Sequence, residues 1–128
     1  MKKAKGTYLV FLDADDFLHS ETLSQLEQWV KKKPKTEVFV WGYHLCNAKG
    51  IIKKTLLPQK PDKKKGESPF GLMLLNRKGF NAYTCTCVVK TTFVKKHTIL
   101  FSENGFYEDF IFSKKLENLF LYNGNYLI

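Results

Sequence analysis

A chain of 128 residues carries enough material for one domain with a core of its own, and too little for several. An apolar share of 44% and an aromatic share of 15% exclude a disordered polymer. The formal net charge of +9 comes almost wholly from lysine, with Arg77 the one arginine. Readers of nucleic acid depend on arginine for bidentate contacts, so the charge argues against a nucleic-acid partner.

The lysines are dispersed in short clusters: Lys31-Lys32-Lys33, Lys53-Lys54, Lys63-Lys64-Lys65, Lys95-Lys96 and Lys114-Lys115. Solvated faces and loops account for most of them. Polybasic clusters also gain from an anionic lipid surface, so a peripheral membrane contact is compatible with them. No stretch is long and apolar enough to span a bilayer. The basic start at Met1-Lys2-Lys3 is followed by no small-residue cleavage site, which argues against a signal peptide. Three cysteines without a CxxC pair suit reduced thiols and a cytoplasmic setting, including the inner face of the membrane.

In chain order, Lys2 to Lys5 reads as the tail of a helix closed by Gly6. Tyr8-Leu9-Val10-Phe11 reads as a strand buried on both faces. Ser20 is the expected N-cap of a helix, with Glu21 in its first turn and Leu23, Leu26, Trp29 and Val30 at helical spacing. Lys31 to Lys33 favour its C-terminus and Pro34 stops it. Val38 to Leu45 reads as one strand. Asn47-Ala48-Lys49-Gly50 then turns the chain into Ile51 to Leu57, giving a hairpin.

Residues 58–66 read as an exposed loop within a single domain that spans residues 1–128. Ser68-Pro69 opens a helix that Gly79 closes, with Phe70, Leu72, Met73, Leu74 and Leu75 on its apolar side. Tyr83 to Val89 reads as a strand with Cys85 and Cys87 on one face. Thr91 or Thr92 caps a short helix through Lys96. An amphipathic helix from Glu108 to Leu119 turns Phe112, Leu116 and Leu119 inward. There is no internal repeat.

The chemistry concentrates at Leu12-Asp13-Ala14-Asp15-Asp16, directly after the first strand. Carboxylates packed this closely repel one another unless a cation neutralises them. Hard oxygen ligands suit Mg²⁺ or Mn²⁺, held partly by protein and partly by substrate phosphates. The plainer alternative is a helix N-terminus, where acidic residues favour the macrodipole. A strand before and a helix after the acids favour the cation. His44 and Cys46, two apart on a strand, lack a second pair at ligand spacing and read as structural, as do Cys85 and Cys87. Phe39, Trp41, Tyr43, Phe101, Phe106 and Phe110 read mainly as core.

The run Ala4-Lys5-Gly6-Thr7-Tyr8-Leu9-Val10-Phe11-Leu12-Asp13-Ala14-Asp15-Asp16 resembles the central motif of family 2 glycosyltransferases with the GT-A fold. A second stretch, Phe106-Tyr107-Glu108-Asp109-Phe110-Ile111-Phe112, is similar to that family's acidic "ED" element, preceded by Phe101-Ser102-Glu103. Both occur in the family's order. The resemblance implies an α/β domain, a partial GT-A fold in which helices flank a mixed sheet, starting just before the DxD strand and lacking the N-terminal nucleotide-binding half. It implies an enzyme, an inverting transferase moving a sugar from a nucleotide-diphosphate sugar donor to a glycan or lipid-linked acceptor.

In that scheme Asp15 contacts the cation and diphosphate, and Asp13 lies near the ribose or the metal. Asp16 supports the loop or caps the next helix. Asp109 is the catalytic base and Glu108 orients the acceptor or the base. Mn²⁺ or Mg²⁺ is the implied cofactor. A fragment of this kind is expected to have little activity alone and to self-associate through an uncovered sheet edge and helix face. The alternative is a non-catalytic glycan-binding or protein-interaction module built on the same fold.

Overall fold

The computed structural model describes residues 1, 3–58, 84–101, 108, 111–116 and 126–127. In chain order these form strand β1 (Tyr8–Val10), helix α1 (Thr22–Lys32), strands β2 (Val38–Val40), β3 (Tyr43–Cys46) and β4 (Ile52–Leu56), a 3₁₀ turn (Thr84–Thr86), strand β5 (Cys87–Lys90), helix α2 (Thr91–Lys96) and strand β6 (Tyr126–Leu127). Residues 111–116 are also helical. The architecture is the expected α/β type with a mixed sheet.

Four strands form one sheet in the order β1-β5-β2-β6. β5 pairs antiparallel with both β1 and β2, and β6 joins β2 in parallel. β1 and β2 therefore run in the same direction with β5 reversed between them. Leu9 lies opposite Val89, and Phe39 opposite Val88.

The alternation of side chains along each strand sends successive residues to opposite faces. Phe39 and Val88 join Leu26 on one face, with Tyr8, Val10, Trp29, Val30 and Trp41 packed around them. Val38, Val40, Cys87 and Val89 point the other way and join Phe93, Val94, Ile99, Phe112 and Leu116. The sheet is thus sandwiched: α1 covers one face, while α2 and the 111–116 helix cover the other. Full burial of each such apolar side chain stabilises the fold by roughly 1.5–3 kcal/mol.

Several expectations change in three dimensions. β1 is half-buried along its length, not buried on both faces. Among the described residues it has one sheet neighbour, β5, whereas β5 and β2 each have two. Its N-terminal end is tied down by Thr91, whose Oγ1 donates to Gly6 O at 2.6 Å and whose N donates to Thr7 O at 2.9 Å. Thr91 is the first residue of α2, after an N-cap Lys90 without a side-chain cap bond. Before β1 the described residues form a turn, with Ala4 N donating to Met1 O, and no helix. Gly50, not Gly6, is the glycine with positive φ among the described residues.

Helix α1 starts later than its Ser20 signal. Glu21 occupies the N-cap and makes no side-chain cap bond. Its carbonyl accepts instead from Ser24 Oγ at 2.9 Å. Of the four apolar positions, Leu26 is buried and Trp29 and Val30 are half-buried, while Leu23 is 57% exposed. The helix stops as expected, with Lys31 and Lys32 in the last turn.

The single strand expected over Val38 to Leu45 is broken at Trp41-Gly42 into β2 and β3. Gly42 sits so close to β4 that a Cβ there would lie 2.5 Å from Leu56 O. The chain changes sheets at this contact. The β3–β4 hairpin itself is as read. Asn47 Oδ1 accepts from Lys49 N and Ile51 N, and Gly50 takes a left-handed φ of 74°.

Likewise, Tyr83 to Val89 is not one strand in its described part. Thr84–Thr86 curl into a 3₁₀ turn, and β5 begins only at Cys87. Cys85 and Cys87 therefore do not share a strand face. Cys87 is buried and its Sγ donates to Thr84 O at 3.4 Å. The expected loop over 58–66 (Pro58 apart), the helix from Ser68 to Gly79, Leu119, Phe106, Phe110 and Asp109 lie outside the described residues.

Candidate active site

The site is built where three chain ends meet. Because β1 and β2 run the same way, their C-terminal ends lie at one edge of the sheet. β5 runs oppositely, so the 3₁₀ turn that precedes it lies at that same edge. Trp41, just past β2, clamps the turn from two atoms. Its backbone N donates to Thr86 O at 3.0 Å and its indole Nε1 to Cys85 O at 2.7 Å. Cys85 is thereby held next to the exit of β1.

Beyond β1 the chain enters the acidic turn. Asp16 N donates to Asp13 O at 3.1 Å, closing a four-residue reverse turn around Ala14 and Asp15. All four residues are exposed. Beneath the turn, Phe11 is anchored edge-on against Phe101 and Phe112 at 5.3 and 5.4 Å between ring centroids. Phe101 and Phe112 stack on each other at 4.7 Å. Such aromatic packing fixes the base from which the acids project.

One carboxylate oxygen of Asp13, one of Asp16 and Cys85 Sγ lie within 4.8 Å of one another. The two carboxylates are the hard donors that Mg²⁺ or Mn²⁺ prefers, and such ions leave coordination positions to water and phosphate oxygens. The thiol is a softer donor than Mg²⁺ favours. Asp15, at the apex of the turn, is exposed and stands outside this trio. Asp16 does not cap α1, whose N-cap is Glu21. Cys85 is the member that reading the sequence missed. Its position in Thr84-Cys85-Thr86-Cys87 suggested a strand, and only the 3₁₀ curl brings it to the acids.

Glu108 is helical and exposed, four residues before Phe112. His44 Nδ1 pairs with Thr55 Oγ1 across the hairpin at 2.8 Å, which accords with a structural role. No helix among the described residues is long and apolar enough to cross a membrane.

The family model described as Glycosyl transferase family 2 matches residues 1–98. The match takes in β1, the acidic turn, Cys85 and α2, and it ends before Glu108 and Asp109. No curated protein matches the chain closely enough to be counted as a relative. A match over this share of the chain, on a sheet with its acidic turn at a strand end, shows that the chain belongs to the glycosyl transferase family 2.

Proposed function

We propose that the chain transfers a sugar, with inversion, from a nucleotide-diphosphate sugar to a glycan or lipid-linked acceptor. The observation that carries this reading is the acidic turn at the C-terminal end of β1, in a chain of this family. Asp15 contacts the cation and the diphosphate, and Asp13 contacts the cation or the nucleotide ribose. A bound Mn²⁺ or Mg²⁺ supplies charge neutralisation of the leaving diphosphate. Asp109 takes the proton of the acceptor hydroxyl, and Glu108 orients the acceptor or the base. The packing of Phe112 against Phe11 supports this assignment, since it joins the helix after Glu108 and Asp109 to the base of the acidic turn.

The test is calorimetric titration of Mn²⁺ in the presence of UDP or GDP. The parent should bind, and Asp13→Asn and Asp15→Asn should each lose most of that binding. Should Asp16→Asn abolish binding while Asp15→Asn preserves it, the cation belongs to Asp13, Asp16 and Cys85, and the role given to Asp15 is wrong. Equal binding by the parent and all three variants would remove the metal reading altogether.

A further inference from the structure

The β3–β4 hairpin forms a small sheet of its own, separate from the four-stranded sheet whose edge carries the acidic turn. At its root Leu56 is buried in the main core. Away from the root, Leu45, Ile51 and Ile52 are 47%, 55% and 54% exposed. They flank the turn: Leu45 lies opposite Lys54 on one face of the hairpin, Ile52 opposite Cys46 on the other, and Ile51 follows Gly50 at the tip. Large apolar side chains grouped this way mark a surface that meets something.

The charge on the same hairpin is of one sign. Lys49, Lys53 and Lys54 are exposed, and none is ion-paired with a described carboxylate. The sequence holds no carboxylate from Val38 to Pro61. An apolar tip flanked by lysines that no described carboxylate pairs with matches a surface with negative charge outside and an apolar layer just beneath. An anionic bilayer has that profile, with phosphates at the headgroup plane and acyl chains directly below.

We propose that the β3–β4 hairpin docks the chain onto an anionic lipid bilayer. Leu45, Ile51 and Ile52 enter the boundary between headgroups and acyl chains, and Lys49, Lys53 and Lys54 lie against the lipid phosphates. Each signal alone is weak, and their combination makes the attachment stable but reversible. The proposal does not depend on the roles given to Asp13, Asp15 or Asp109.

The experiment is flotation of the full chain with vesicles of phosphatidylcholine alone, or of phosphatidylcholine mixed with phosphatidylglycerol, at low and high salt. Binding should require the anionic lipid and fall as salt screens the lysines. Removing each lysine should weaken binding about fivefold, so Lys53→Gln/Lys54→Gln should lose roughly 25-fold. Ile51→Ser/Ile52→Ser should release the protein while its melting curve stays near that of the parent. As a readout that keeps the hairpin apolar, Ile52→Trp should add an emission component that shifts to the blue with anionic vesicles. Equal binding to neutral and anionic vesicles, undiminished binding of the serine variant, or an unshifted Ile52→Trp component would each overturn the proposal. So would self-association that the serine variant abolishes without any vesicle binding, which would assign the surface to a second copy of the chain.

Discussion

Tyr8 shows how one side chain ties a strand to its surroundings. Its hydroxyl donates to Thr36 O at 2.8 Å, and its ring lies edge-on to Phe39 at 5.6 Å. Burial, and secondarily the charge of Glu37, raise its pKa above the ordinary value of 10.0. A raised folded-state pKa means that the folded chain holds the phenolic proton more tightly than the unfolded one. The resulting stability is complete below the ordinary tyrosine pKa and is lost as pH rises through the folded value. Urea denaturation at neutral and alkaline pH should show this loss in the parent. Tyr8→Phe should be less stable at neutral pH by about 1 kcal/mol, the net worth of a hydrogen bond, and should lose less on going alkaline. A variant with an unchanged alkaline limb would mean that other groups govern it. For Asp109, in an active form of the protein, Asp109→Asn should lower kcat by about two to four orders of magnitude while leaving donor KM nearly unchanged. Near-normal turnover would reduce Asp109 to a stabiliser of the helix start.

At the scale of elements, the join between β2 and β3 depends on a missing side chain. A Cβ on Gly42 would meet Leu56 O at 2.5 Å and Leu57 Cδ2 at 2.7 Å. Leucine can move, but the carbonyl belongs to β4 and cannot shift without disturbing the hairpin. Gly42→Ala should therefore destabilise the fold by about 1–3 kcal/mol, read from its urea midpoint. An unchanged midpoint would show that the hairpin slides freely past β2. The 3₁₀ turn makes a different prediction, since it separates two neighbouring thiols. Cys85 is half-buried, while Cys87 is 1% exposed behind the sheet. A thiol reagent should label Cys85 in the native state and reach Cys87 only on unfolding. Mn²⁺ with a nucleoside diphosphate should slow labelling of Cys85, because its sulfur lies beside Asp13 and Asp16. Equal labelling of Cys85 and Cys87 in native protein would contradict the curl.

Over the whole molecule, both faces of the central sheet are covered, but unequally. On the α1 side, Phe39 is the keystone: it is fully buried and touches Tyr8 and Trp29 with its ring. On the other side, Phe112 stacks beneath the acidic turn. Phe39→Ala and Phe112→Ala should each cost about 3–5 kcal/mol, measured by chemical denaturation. A modest loss from either would mean that its face collapses around the cavity. Phe112→Leu should separate function from stability. It keeps most of the apolar volume yet removes the ring contact with Phe11, so cation binding should weaken more than folding does. Unaltered cation binding would show that the acids do not need this support.

Much of this was legible in the chain as written. The apolar run from Val38 to Val40, the Asn47–Gly50 turn, the lysine-and-proline stop after α1 and the acids after Phe11 are local patterns, set by backbone geometry and side-chain chemistry within a few residues. The position of the acidic turn follows from them, and the α/β class is implied by the family resemblance. What the tertiary structure alone decided involves partners distant along the chain. How deeply β1 is buried depends on its sheet neighbours, of which the described residues supply one, β5, and no residue of β1 encodes that. The break at Gly42 depends on where Leu56 passes, and Gly42 inside an apolar run carries only a faint trace of it. Cys85 reaches Asp13 and Asp16 because Trp41 hydrogen-bonds Cys85 O and Thr86 O across the end of the sheet. Local pattern assigns each residue an element, but only packing decides which elements end side by side.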